Sequence, residues 1–513
     1  MKLKSSIKKW VIVFLTLLVI ALTTVSCGML SEINHALGAH TEVVNTSQFK
    51  VTFGKLAIKN INVLSENSEV MIPNQTVLIN GSKIESISDS IAIPNDYDII
   101  DGTNKFLIPG LIDSHVHIKK SKNDLLLYLA NGITHVGEMT GMKEHFEYAK
   151  EIEEGSFLGP RMYIASPKVS SEKGIKVKFR SWFERRQQNY PTPKAAIKAV
   201  RKYKKKGYKA IKLASQLFDR DIYFAVIDEA KKQNIPVIGH LPAYVYMEDL
   251  YTSGQSQLSH IESITQSEMN EYGGVDYTNA KEFLKYFKDK SDSIAIKLKE
   301  SDITISSTLW INEIMPEQDF NLAIFLRTIP LEYMNPGWVE GSKVSGGWLP
   351  GLGNSYENPN NTDDESMAKS KVFWDAKIEA LKTITRALVK HGVVITAGTD
   401  AHGAAGCIPG FSLHKELESL NKFGMSNAQV LQSATIAAAE WMKINTGKIK
   451  VGYDADLVIL DKNPLNNIKN TTAINTVITN GKYLNRDTLN KMLKAVKEAN
   501  NRSREVSIDE YLD

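Results

Sequence analysis

Ile108-Pro-Gly-Leu-Ile-Asp-Ser-His-Val-His117 decides how this 513-residue chain is read. A short apolar run ends in two histidines spaced i, i+2. On a β-strand that spacing puts both imidazoles on one face, roughly 6–7 Å apart along the chain. Two imidazoles at the end of a buried strand make half of a metal site. The other half is sought at the ends of later runs, where Lys212, His240, His260 and Asp400 are the candidates.

Outward from that stretch, eight short apolar runs alternate with helical stretches: 106–111, 133–136, 162–165, 210–213, 236–239, 257–259, 303–306 and 393–397. Alternation of this kind marks parallel βα units, and eight is the number that closes a barrel. The predicted class is therefore α/β, a distorted (β/α)8 TIM barrel over residues 108–447. Both flanks read as strand and turn. Asn80-Gly81 between two alternating runs predicts a hairpin, and Gly452-Tyr-Asp-Ala-Asp-Leu-Val-Ile-Leu460 begins a second β segment. The two segments, 49–107 and 448–485, predict one small β-sandwich built from both ends. Turn chemistry between 310 and 370 predicts a long loop after the seventh strand, a lid over the barrel mouth. Residues 486–513 read as a charged helical tail.

The formal net charge is +4, and Lys2, Lys4, Lys8 and Lys9 supply all of it, so the remainder is neutral and no nucleic-acid partner is implied. Lys202 and Lys204 to Lys206 read as a solvated helix face. The lysine-rich start precedes an apolar run, residues 10–25, of the length of a signal core. It closes on Thr24-Val-Ser-Cys27, which resembles the lipobox of bacterial lipoproteins. The resemblance implies a signal peptide over 1–26, a lipidated Cys27 and a polar tether over 27–48. The protein is then exported and membrane-anchored, on the periplasmic or cell-surface side of a bacterial cell. Plain cleavage and an uncleaved anchor are the alternatives. Cys407 is the only other cysteine and reads as a small buried hydrophobe.

Each candidate ligand sits at or near the carboxyl end of a run, where barrel enzymes keep their chemistry. Imidazole and carboxylate donors suit zinc and its neighbours, and the lack of paired cysteines excludes a sulfur-ligated structural site. A lysine inside a buried strand is costly unless paired or modified. Carbamylation would turn Lys212 into a carboxylate able to bridge two cations, whereas an ordinary paired Lys212 would leave a one-metal site.

The motifs Pro109-Gly-Leu-Ile-Asp-Ser-His-Val-His117, Ala210-Ile-Lys212, Gly239-His240, Ser259-His-Ile-Glu262, Gly398-Thr-Asp400-Ala and Gly452 to Leu460 occur in one order. Over residues 50–485 the chain resembles the amidohydrolase superfamily, in its imidazolonepropionase-like branch that includes Xaa-Pro dipeptidases. The resemblance implies a barrel with a β-sandwich, and hydrolysis of a C–N bond by a hydroxide bridging two divalent ions, zinc by preference. His115, His117 and Asp400 would hold one ion, His240 and His260 the other, and carbamylated Lys212 would bridge them. Asp400 and His260 take the catalytic roles, Asp400 moving the proton from water to the leaving nitrogen. Two departures stand out. Gly137-Glu138 replaces the Arg-Asn or Arg-Asp of many members, and Leu241-Pro242 replaces the Ala-Tyr of dipeptidase relatives. Glu138, Tyr244 and His402 are taken as substrate-binding candidates, with Tyr246 beside them. His135 and His414 read as packing, Glu262 as an orienting group, and Trp310 and Trp338 either as covers for an apolar substrate or as simple packing.

Three functions follow. The first is a metal-dependent hydrolase of amide or peptide bonds in a small substrate. The second is a mononuclear cyclic-amide hydrolase or deaminase. The third is a lipoprotein that binds a ligand without catalysis. The sequence sets no oligomeric state.

Overall fold

Residues 106–111 do not make one strand. Phe106–Pro109 ends at a proline, which has no N–H to continue a ladder, and a new strand, Leu111–Val116, begins two residues later. Gly110 at the junction lies so close to Thr134 that a Cβ there would sit 2.2 Å from its hydroxyl oxygen. The chain thus leaves one sheet and enters another across a single glycine.

The computed structural model describes residues 2–172, 174, 177, 187–215, 218–355, 357–358 and 363–512, with the backbone alone for 2–9 and 21–22. Its strands are β1 (Lys55–Leu64), β2 (Met71–Asn80), β3 (Lys83–Ser88), β4 (Asp98–Asp101), β5 (Phe106–Pro109), β6 (Leu111–Val116), β7 (Ile133–Glu138), β8 (Arg161–Ile164) and β9 (Lys168–Ser170). They continue as β10 (Gln187–Asn189), β11 (Ile211–Leu213), β12 (Val237–Gly239), β13 (Gln257–Ser259), β14 (Thr304–Ser306), β15 (Ile395–Thr396), β16 (Leu457–Leu460), β17 (Ile474–Thr479) and β18 (Lys482–Asn485).

The two flanking β segments form one eight-stranded sheet in the order β18-β17-β16-β5-β1-β2-β3, with β4 on β1. Ile108 of β5 faces Val458 of β16 across an antiparallel register. Both side chains are buried, and each such burial is worth roughly 1.5–3 kcal/mol. The predicted hairpin forms one residue further on, with Asn80 paired to Lys83 and Gly81-Ser82 as its loop.

The middle of the chain is mixed α/β. Strands β6, β7 and β8 pair in parallel. A second parallel sheet runs β10-β9-β11-β12-β13-β14-β15. Two sets of backbone contacts join them. Ser114 N donates to Ala397 O at 2.9 Å, and Ser166 N donates to Ala210 O at 2.8 Å. Parallel bridges at Val116–Ala401 and Ala165–Ala210 accompany these bonds. Every residue of β6 is buried, as expected of a parallel strand covered on both faces. The helix Pro193–Lys205 shows the covering pattern: Ala196, Ala199, Val200 and Tyr203 are buried, while Lys202, Lys204 and Lys205 face solvent.

Three segments differ from the sequence reading. The expected long loop after the seventh run begins as a helix, Leu309–Leu326, whose Pro316 and downstream turn residues disguise it. The charged tail is helical over Arg486–Ser503, but it buries Leu489, Met492, Val496 and Ala499 rather than standing off the surface. The tether is docked from Ala36 onward, with Val44 and Phe49 in the main core. Before it, Trp10–Ala36 is long and apolar enough to cross a membrane by length and composition, and its apolar window is exposed.

Candidate metal centre

Asp113 organises the end of β6. Its carboxylate accepts from Thr399 N at 3.0 Å, from the Thr399 hydroxyl at 2.7 Å and from His115 N at 3.3 Å. Burial pushes this carboxyl up to about 7 against those hydrogen bonds. Asp400 N then donates to His115 O at 2.8 Å, which fixes the turn after β15 against β6.

On that frame the six residues expected at the centre converge. Asp400 Oδ1 lies 2.9 Å from His117 Nε2 and 3.4 Å from His115 Nε2. Lys212 Nζ lies 3.4 Å from His115 Nε2 and donates to Ser259 Oγ at 2.8 Å. The His260 ring stands 4.8 Å from the rings of both His115 and His240. Donor atoms of His115, His260 and Asp400 all fall within 4.8 Å of one another. His260 and Asp400 hold φ of +69° and +54°. Such left-handed backbone costs a non-glycine residue about 1–3 kcal/mol and gathers at functional sites.

Two threonines aim the imidazoles. Thr140 Oγ1 is 2.9 Å from His117 Nδ1, and Thr308 Oγ1 is 2.8 Å from His260 Nδ1. Each contact occupies one ring nitrogen and leaves Nε2 for the cluster. Glu416 holds the second of these turns by accepting from Leu309 N at 2.9 Å and Trp310 N at 2.7 Å. Sequence reasoning missed both threonines and Glu416, because none carries a spacing signature. Asp113 lay inside the quoted stretch and its i, i+2 relation to His115 was the available signal.

Burial, then the Lys212 charge, hold His115 well below the ordinary imidazole value. Burial and then His260 do the same to His240, and burial brings His260 to about 4. Burial also lowers the Lys212 amine strongly. Asp400 is lowered as well: burial raises it, but the hydrogen bond and charge of His117 prevail and keep it ionised. Imidazoles and one carboxylate crowded within a few ångströms, with an amine beside them, are a donor set that fits divalent cations.

The substrate-binding candidates fall in different places. Tyr244 is 64% exposed and lines, with Leu241, Tyr246, Met247 and Ile311, a cavity of about 650 Å³ that His240, His260 and Asp400 also border. His402 is buried beside Trp338, their rings 4.8 Å apart, and borders a second cavity of about 390 Å³ with His117, Lys119 and Lys168. Glu138 borders neither. It is fully buried, accepting from Ile118 N at 2.6 Å and Thr140 N at 2.7 Å. Its place in the fold is behind His117. Among the other residues singled out, His135, His414 and Cys407 are buried, Glu262 pairs with Lys377, and Trp310 donates to Gly406 O at 3.2 Å. Asp454 and Asp456 bind Arg161, tying the eight-stranded sheet to β8.

A match to the amidohydrolase family covers residues 375–484. A 5'-deoxyadenosine deaminase of Methanosphaera stadtmanae is 23% identical over 455 residues, 84% of this chain and 93% of its own length. Ochratoxinase of Aspergillus niger is 31% identical over 109 residues, 20% of this chain and 21% of its own. Among solved structures, a putative prolidase from Bifidobacterium longum aligns with a TM-score of 0.57 at 21% identity, covering 86% of this chain and 99% of that one. A bottromycin amidohydrolase aligns with a TM-score of 0.64 at 17% identity, covering 91% and 93%. These structural likenesses speak for the fold alone.

Proposed function

We propose that this enzyme hydrolyses an amide or peptide bond of a small substrate at a centre of two divalent metal ions, zinc by preference, held at the mouth of a (β/α)8 barrel. The observation that carries the proposal is the convergence of His115, His260 and Asp400 within 4.8 Å, with His117, His240 and Lys212 against them. The barrel reading takes the joined sheets as one closed ring, β6-β7-β8-β11-β12-β13-β14-β15, with the eight-stranded sheet as the sandwich beside it. His115, His117 and Asp400 would hold one ion, His240 and His260 the other, and Lys212 would bridge them once carbamylated. When bound, such ions supply positive charge that polarises a carbonyl and makes a nearby water more acidic.

The chain's own groups supply the rest. Asp400, kept ionised by His117, accepts a proton from the attacking water and returns it to the leaving nitrogen. His260, gripped at Nδ1 by Thr308, keeps one ring orientation throughout. Leu241, Met247 and Ile311 give the larger cavity apolar surface, and Tyr244 and Tyr246 its exposed edge, which suits a substrate with an apolar side group. His402 lies at the other cavity, within reach of a second substituent.

The mononuclear reading keeps one specific observation in its favour. A 5'-deoxyadenosine deaminase is similar over 84% of this chain. Screening the zinc-loaded protein against dipeptides, N-acyl amino acids, cyclic amides and adenosine-type nucleosides tests the proposal. Cleavage of an acyclic amide supports it, and turnover confined to nucleosides or cyclic amides overturns it.

The reading also includes export and a lipid anchor at Cys27. Cys27 is exposed, and it lies on the apolar helix ahead of the docked segment. Cys27→Ser should release the protein from membranes, and full retention would remove the lipoprotein assignment.

A further inference from the structure

Trp338 and Lys119 form one wall of the smaller metal-side cavity. Lys119 Nζ sits 3.3 Å from the centre of the Trp338 ring, and both border the cavity with His117 and Asp400. Lys119 lies two residues past His117. Trp338 belongs to the short helix Pro336–Val339, more than two hundred residues away in the chain. Besides the direct bond from Asn335 to Ser121, residues 32–44 bridge these two segments.

That N-terminal segment touches both. Toward the Lys119 turn, Lys120 N donates to Leu37 O at 3.0 Å and Lys120 Nζ donates to Asn34 Oδ1 at 2.8 Å. Asn123 Nδ2 donates to Glu42 O at 2.8 Å, and Val44 N donates to Asn123 Oδ1 at 2.9 Å. Toward the Trp338 segment, Asn335 Nδ2 donates to Gly38 O at 3.3 Å and to Ser121 Oγ at 2.9 Å. Lys343 N donates to Glu32 Oε2 at 3.1 Å, and Lys343 Nζ pairs with Glu32 at 3.4 Å. Gly337 is pressed against the same segment: a Cβ there would lie 1.9 Å from His35 O. Leu37 and Gly38 are buried in this contact.

We infer that residues 32–44 are a strap that sets the position of the Trp338–Lys119 wall, coupling the end of the apolar N-terminal helix to the metal-side cavity. The link to catalysis rests on the reading of that cavity as part of the active site. The mechanical link does not. Backbone that depends on so few contacts opens when one of them is lost, while strands buried on both faces stay closed.

Hydrogen exchange on the full-length protein in detergent tests the strap. Gly337→Ala places a methyl group on His35 O and should push the strap away. The expected result is exchange about tenfold faster or more over 32–44, 119–123 and 335–343 together, with β12 and β13 unchanged. Gly28→Ala, which has nothing within 4 Å, should exchange as wild type. Faster exchange of 32–44 with 119–123 and 335–343 unchanged would overturn the inference. Should Gly337→Ala fail to fold, Glu32→Lys should loosen 335–343 and Lys343→Glu in the same chain should restore it; no loosening overturns the inference too. On whichever substrate the screen yields, Gly337→Ala should lower kcat/KM about fivefold or more, chiefly through KM. Unchanged kinetics with a released wall would sever the strap from catalysis. A protein that hydrolyses nothing would leave the exchange result to be read alone.

Discussion

The two sides of the candidate metal centre are built differently. His117 is braced on both nitrogens, by Thr140 and Asp400, and Glu138 lies behind it with both oxygens taken by backbone amides. His240 makes no side-chain hydrogen bond among the described residues, and its ring meets only that of His260. The turn after it carries Tyr244 at φ +71° and two tyrosines about two-thirds exposed. On the proposed reading the braced half is set before any ligand arrives and carries the chemistry, while the open half is completed by what binds and carries the selectivity.

The sharpest way to break that contrast is Asp400→Asn. It should leave the fold intact and lower turnover by about 10²–10⁴, the usual worth of a positioned acid–base group. Turnover within about threefold of wild type would remove Asp400 from the mechanism.

A buried imidazole outside the centre shows what the fold alone does. Burial depresses His414 to about 4. The unfolded chain, titrating near 6.5, therefore binds more protons between those values. Stability from this residue is complete above about pH 6.5 and falls as the pH drops toward 4, by roughly 3 kcal/mol in all. His414→Gln should flatten the acid limb of urea-midpoint measurements by that order. An unchanged pH slope would contradict the depressed imidazole.

On the braced side, Glu138→Gln should weaken metal binding about 10–100-fold, the common cost of losing a group behind a ligand. Tyr246→Phe on the open side should leave metal affinity unchanged and raise KM about two- to fivefold. Equal effects of the two on metal affinity, measured by competition with a chelating dye, would erase the distinction between the halves.

The same division explains what the sequence made legible. The convergence of four histidines, a lysine and an aspartate could be read because each closes or interrupts an apolar run, and run ends gather at one rim in a parallel α/β fold. The break at Pro109-Gly110 could not, since both halves are apolar and only pairing with β1 and with the distant β16 separates them. Glu138 looked like a pocket residue because the amides of Ile118 and Thr140 that occupy it leave no trace in the sequence. The helix Leu309–Leu326 was hidden by its internal proline. The docking of residues 36–49 was hidden because its partners, Asn123 and Asn335, lie far away in the chain.

Metal content per chain, measured after desalting, tests the central claim most directly. Zinc-loaded wild type should hold close to two ions and Lys212→Met close to one, because the bridging side chain is gone. Wild type that holds a single ion, with Lys212→Met holding the same, would contradict the two-metal centre.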